Sequence, residues 1–138
     1  MEYIKRHAEA TVNTLSKMFG AILVAGPRQV GKTTMLQRIT EGMNYATLDD
    51  LIVRAAAQEQ SGTFFKDNPP PVFVDEIQKA PELFSQIKMF IDREHKKGQF
   101  FMCGSQQFQM THRFCLRMSI LMSAKSSLPT FHTRMYGR

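Results

Sequence analysis

The stretch Gly26-Pro27-Arg28-Gln29-Val30-Gly31-Lys32-Thr33 matches G-x-x-x-x-G-K-[ST] at every position. It follows Ala21-Ile22-Leu23-Val24-Ala25, a continuous apolar run of strand length, as expected for a parallel strand buried on both faces. After it, Lys32 to about Glu41 returns to helical spacing through Met35, Leu36 and Ile39. Strand, glycine turn and helix in that order are the setting in which a loop wraps a phosphate. Glycine supplies the dihedrals that turn backbone N–H groups inward, and the helix points its N-terminus at the anion. Pro27 has no N–H, so Gly26 opens the turn and the cradle is expected from Gln29, Val30 and Gly31 onward. Lys32 is the expected point charge for the β- and γ-phosphates of ATP. Thr33 offers a hydroxyl to Mg2+, and Thr34 is placed for the α-phosphate. The bland alternative is a chance Gly-Lys-Thr in an ordinary βα turn, against which the flanking strand and helix argue.

Outward from this stretch, strands and helices alternate. Residues 3–19 read as an amphipathic helix through Ile4, Ala8, Val12, Leu15 and Phe19, ended by Gly20. Tyr45 to Leu48 is a short strand candidate, after which Asp49 or Asp50 caps a helix through Leu51, Ile52, Ala55 and Ala56. No helix passes Asn68-Pro69-Pro70-Pro71. Val72-Phe73-Val74 then forms a strand ending in Asp75-Glu76. Pro81 marks a helix start, with a stripe of Leu83, Phe84, Ile87, Phe90 and Ile91. Lys96 and Lys97 are expected in its last turn with Gly98 as the cap. Phe100 to Cys103 is a fourth strand candidate, ending at Gly104-Ser105. The pattern predicts an α/β three-layer fold with a mostly parallel sheet.

The 138 residues suit one domain, and 43% hydrophobic with 22% charged residues is globular composition. No apolar run approaches the ~18 residues of a spanning helix, and no apolar segment follows Lys5 and Arg6 as in a signal peptide. Cys103 and Cys115 are too few for a disulfide framework, so a reducing cytoplasm is the expected compartment. The net charge of +6 is unevenly placed. Residues 1–94 hold 11 Lys+Arg against all 12 acidic residues, whereas the last 44 hold 7 Lys+Arg and no acid. Such a tail can bind phosphates, or it can be a segment that does not belong to the fold.

Asp75 and Glu76 at a strand end, some 40 residues after the glycine loop, have two readings. They can cap the next helix, or Asp75 can orient Mg2+ waters while Glu76 polarises the attacking water. The preceding phosphate loop favours the second. Ser105 at the next strand end can sense the γ-phosphate, or it can sit in a solvated turn. His7, His95, His112 and His132 lie far apart with no ligand spacing and read as surface residues. Cys103 and Phe64-Phe65 read as core, and Asp49-Asp50 as a helix cap rather than a second metal site.

At this point the residues resemble the prokaryotic AAA+-like ATPases in which an N-terminal ATPase domain precedes a C-terminal domain of unknown function. The likeness spans about residues 3 to 108. It is carried by Tyr3-Ile4-Lys5-Arg6-His7, Gly26 to Thr34, Leu48-Asp49-Asp50, Val74-Asp75-Glu76-Ile77-Gln78-Lys79-Ala80-Pro81-Glu82-Leu83-Phe84 and Gly104-Ser105-Gln106-Gln107-Phe108. The resemblance implies Lys32 and Thr33 as Walker A residues, Asp75 and Glu76 as the Walker B pair and Ser105 as the sensor. It also implies an arginine finger, often from a neighbouring subunit, and hence a homo-oligomer; Arg113, Arg117 and Arg134 are the candidates. From about Gln109 the likeness fades, and the family's second domain is expected to be absent. Residues 109–138 then form a basic tail after a 1–108 ATP-binding domain, with Ser119 to Met122 as a short strand candidate and nothing more regular. One account is a reading-frame slip, since the codons of Thr130-Phe131-His132-Thr133-Arg134, read one nucleotide later, can spell a segment resembling the family. The sheet is accordingly expected to be truncated at its last strand, leaving the Ala21–Ala25 strand with a bare edge.

The leading functional expectation is a cytoplasmic ATPase domain that binds ATP–Mg2+ and hydrolyses it slowly, with its protein partner unspecified. The alternatives are a nucleotide-binding remnant without turnover and a nucleic-acid-binding module using the basic tail, for which no reader motif is present. A small-molecule kinase is disfavoured by Asp75-Glu76 following the strand. No membrane partner is expected.

Overall fold

The apolar run after Gly20 forms strand β1 (Ala21–Gly26), and the rest of the fold is arranged around it. The computed structural model describes residues 2–26, 32–105, 118–123 and 131–136, with side chains described for 9–24 and 33–104. Helix α1 (Glu2–Ser16) precedes β1, and α2 (Lys32–Ile39) follows it. Strand β2 (Asn44–Thr47) leads to α3 (Leu51–Glu59) and α4 (Ser61–Asp67). Strand β3 (Val72–Asp75) passes through a 3-10 turn (Ile77–Lys79) into α5 (Leu83–Glu94). Strands β4 (Phe100–Ser105), β5 (Met118–Ser123) and β6 (Phe131–Tyr136) complete a sheet of order β2-β3-β4-β1-β5-β6. Every pairing is parallel except β5 with β6.

Because side chains alternate along a strand, each central strand feeds two cores. Ile22 and Val24 of β1, Phe73 of β3 and Phe101 and Cys103 of β4 pack under α1 and α2 with Val12, Leu15, Met35 and Leu36. Ala21, Leu23, Val72, Val74, Phe100 and Met102 face the other way, against Ala57, Phe64, Leu83, Phe84, Ile87 and Ile91 of α3 to α5. The fold is therefore the expected α/β three-layer arrangement with a mostly parallel sheet.

The expected bare edge on β1 is a correction. β5, which lies inside the basic tail, pairs in parallel with β1 from Ala21↔Met118 to Ala25↔Met122, and β6 adds an antiparallel outer strand. The apolar strand is thus hydrogen-bonded on both sides, which removes the hazard of a long exposed edge. Helix α5 is a second correction. It stops at Glu94, where His95 adopts the left-handed region at φ 56°, so Lys96 and Lys97 lie beyond it. Lys97 Nζ instead donates to the Met18 carbonyl at 3.1 Å. The Asp50 cap is as expected: its side chain accepts from the N–H groups of Ile52 and Val53 at 2.9 and 3.3 Å. Asp49 meets Lys79 in an ion pair.

Candidate functional site

The phosphate-loop residues Gln29, Val30 and Gly31 lie outside the described residues, and so do the side chains of Lys32 and Ser105. What surrounds that loop is described. Gly26 ends β1, Lys32 opens α2, and Ser105 ends β4 directly beside Gly26 in the strand register. Thr34 is exposed in the first turn of α2. The expected sensor position therefore stands next to the strand that launches the loop.

Strand alternation delivers the next group. Asp75 shares the α1/α2 face with Phe73, Cys103 shares it with Phe101, and Phe73 and Phe101 are register partners. Asp75 and Cys103 consequently meet: the Cys103 thiol donates to Asp75 Oδ1 at 2.6 Å. Thr33 Oγ1, at the start of α2, donates toward both Asp75 oxygens at 3.3 and 3.5 Å. Tyr45 of β2 donates its hydroxyl to Asp75 Oδ2 at 3.3 Å. Asp75 is only 6% exposed, so these donors replace the water it gives up. Burial, then the Asp75 hydrogen bond and charge, push the Cys103 thiol up from 9.0 to about 12. Burial first and the Asp75 charge second also raise the Tyr45 phenol.

Glu76 does not join that cluster. The chain leaves β3 through Glu76 in the left-handed region, φ 58° and ψ 47°, and its Oε2 accepts from Gln78 Nε2 at 2.6 Å. The structure thus brings Thr33 and Asp75 together and sets Glu76 at the same strand end with a partner of its own. Sequence reasoning missed the roles of Cys103, Tyr45 and Gln78 here. The available signal was strand parity, once β3 and β4 are taken as neighbours.

The arrangement of oxygens suits a small hard cation. A hydroxyl and a carboxylate are the ligand types Mg2+ takes, and Mg2+ commonly keeps waters and phosphate oxygens for its other positions. Among the described residues no three His, Cys, Asp or Glu side chains gather into a metal cage.

A family model described as "AAA domain" matches residues 19–118, most of the chain. The chain belongs to the AAA domain family. This AAA domain is therefore of the nucleotide-binding, ATPase-like kind, on a P-loop NTPase-type fold. It is similar to two uncharacterized mycobacterial proteins, one from Mycobacterium bovis and one from Mycobacterium tuberculosis. Each is 26% identical over 102 residues, covering 73% of this chain. The match spans about a quarter of their length, 23% in each case. No solved structure matches it significantly. Among the described residues, no helix of the AAA domain is long and apolar enough to cross a membrane.

Proposed function

We propose that this AAA domain binds ATP with Mg2+ and hydrolyses it slowly. The observation that carries the proposal is the meeting of Thr33 and Asp75, 42 residues apart, at the shared end of β3 and α2. A P-loop site uses a loop hydroxyl and a strand-end carboxylate to hold its cation, and these two side chains are already within 3.3 Å. Bound Mg2+ supplies charge neutralisation on the phosphate oxygens. The chain's own residues do the rest. Lys32 places a positive charge on the β- and γ-phosphates, with the N–H groups of Gln29, Val30 and Gly31 around them. Thr33 and Asp75 hold the cation, and Thr34 meets the α-phosphate. Glu76, one residue beyond the cation site, takes the proton of the attacking water, and Ser105 beside Gly26 reports the γ-phosphate. The nucleotide is held by residues within 1–108, and the basic segment after them adds β5 and β6 to the same sheet.

Two substitutions test it. Lys32→Ala is expected to weaken ATP binding at least tenfold, about 1.4 kcal/mol or more, in titration calorimetry. Glu76→Gln is expected to keep that affinity and to lower phosphate release by ~10². Unchanged affinity in the first refutes the phosphate-loop reading; equal turnover in the second refutes Glu76 as the base.

A further inference from the structure

Gln78 sits in the 3-10 turn that follows Glu76, and its side chain folds back on the carboxylate at 2.6 Å. A carboxylate only accepts, so the amide nitrogen of Gln78 must face it and the amide oxygen must face away. That oxygen, Oε1, is buried without a hydrogen-bond partner among the described residues. It lies against Gly104: a Cβ there would stand 2.8 Å from Oε1 and 3.4 Å from Ile77 Cγ2. A buried oxygen without a donor is unfavourable for folding, so packing alone would be served better by an aliphatic side chain. The amide is explained by what its other end holds. Gly104 immediately precedes Ser105, so the Gln78 amide is wedged between the carboxylate and the strand end that carries the sensor position.

We infer that Gln78 is a positioning residue for hydrolysis: its amide fixes the Glu76 carboxylate, and the missing side chain of Gly104 gives that amide its room. The inference rests on the ATPase reading above and adds to it the device that aims the base. Without the amide, the Glu76 carboxylate loses its orientation. Turnover should suffer while nucleotide binding, which uses Lys32 and Thr33, should not.

The test uses the full chain and three single variants, with kcat and KM from phosphate release, ATP affinity from calorimetry and thermal melting as the check on folding. Gln78→Ala removes the amide, and Gln78→Glu keeps its shape while replacing the donor with a second acceptor. Gly104→Ala pushes on Oε1. Each is expected to lower kcat about tenfold or more, as small misplacements of a reacting group do, with ATP affinity within about twofold. Gly104→Ala added to Gln78→Ala should cost nothing further in kcat, because no Oε1 remains to displace. If Gln78→Ala fails to fold, Gln78→Glu and Gly104→Ala carry the test. An unchanged or raised kcat in the Gln78 variants, or a raised KM with kcat unmoved, overturns the inference alone. A wild type that binds ATP and never releases phosphate overturns the hydrolytic reading, and the inference with it.

Discussion

Replacing Cys103 separates a hydrogen bond from the packing around it. Its sulfur is fully buried and donates to Asp75 Oδ1 at 2.6 Å, while Thr33 Oγ1 approaches the same oxygen at 3.3 Å. Cys103→Ala removes both the donor and the sulfur. A hydrogen bond to a charged group contributes about 1.5–3 kcal/mol, and the lower end applies because Thr33 remains. The lost sulfur leaves a gap of roughly methyl size, worth about 1 kcal/mol. The expected loss is therefore about 2–3 kcal/mol, and at this size each kcal/mol moves Tm by about 3–5 °C. Cys103→Ser keeps a donor in nearly the same place, so its cost should stay near 1 kcal/mol or below. Urea unfolding of wild type and both variants at pH 7 gives the comparison, provided the slopes with denaturant agree. A serine variant as unstable as the alanine variant refutes the claim that the hydrogen bond matters.

The same thiol sets an alkaline limit. Its folded pKa is raised from 9.0 to about 12, so the folded form holds the proton longer. Its contribution is full below about pH 9 and is lost as pH climbs toward 12, by at most about 1.4 kcal/mol per unit. Tyr45 leans the same way, so the thiol's share is the difference in pH slope between wild type and Cys103→Ser; equal slopes refute it. Asp50→Ala should cost about 1 kcal/mol in thermal melting, since Ile52 and Val53 lose their cap. Deleting residues 109–138 removes β5 from β1 and should produce association visible in sedimentation velocity; a monomer as stable as the full chain refutes the role of β5.

The central architecture was legible because β1, β3 and β4 are short apolar runs ending in chemistry-bearing residues, and buried parallel strands look like that. The Asp50 cap and the α5 stripe were legible for similarly local reasons. Helix α4 was not: Gly62 and Thr63 are weak helix formers, and Phe64 and Phe65 packing under the sheet over-rides them. The end of α5 was misplaced because Gly98 looks like a cap, whereas His95 takes the left-handed position three residues earlier. Of the tail strands, β5 was legible only as the short candidate Ser119 to Met122, because no clear period surrounds it, and what places it is its partner β1, 97 positions back at Ala21↔Met118. Within the site, Thr33 and Asp75 could be named from motif spacing. Cys103 and Tyr45 could not, because their contact with Asp75 depends on strand order, which local sequence does not encode.

That strand order has a consequence for how the chain acquires its shape. Ala21 of β1 pairs with Phe100 on one side and Met118 on the other, so the strand made first waits for partners made about 80 and 100 residues later. At a synthesis rate of about 5–20 residues per second, β1 spends roughly 4–16 s exposed before β4 exists. Closing loops of that length carries its entropic cost before any pairing repays it, which slows folding. During that interval the nascent chain presents an apolar ribbon with open hydrogen-bonding groups on both sides. Such a ribbon is a natural client for holding chaperones, and the strand ends that carry Gly26, Asp75 and Ser105 are brought together only after β4 has been made.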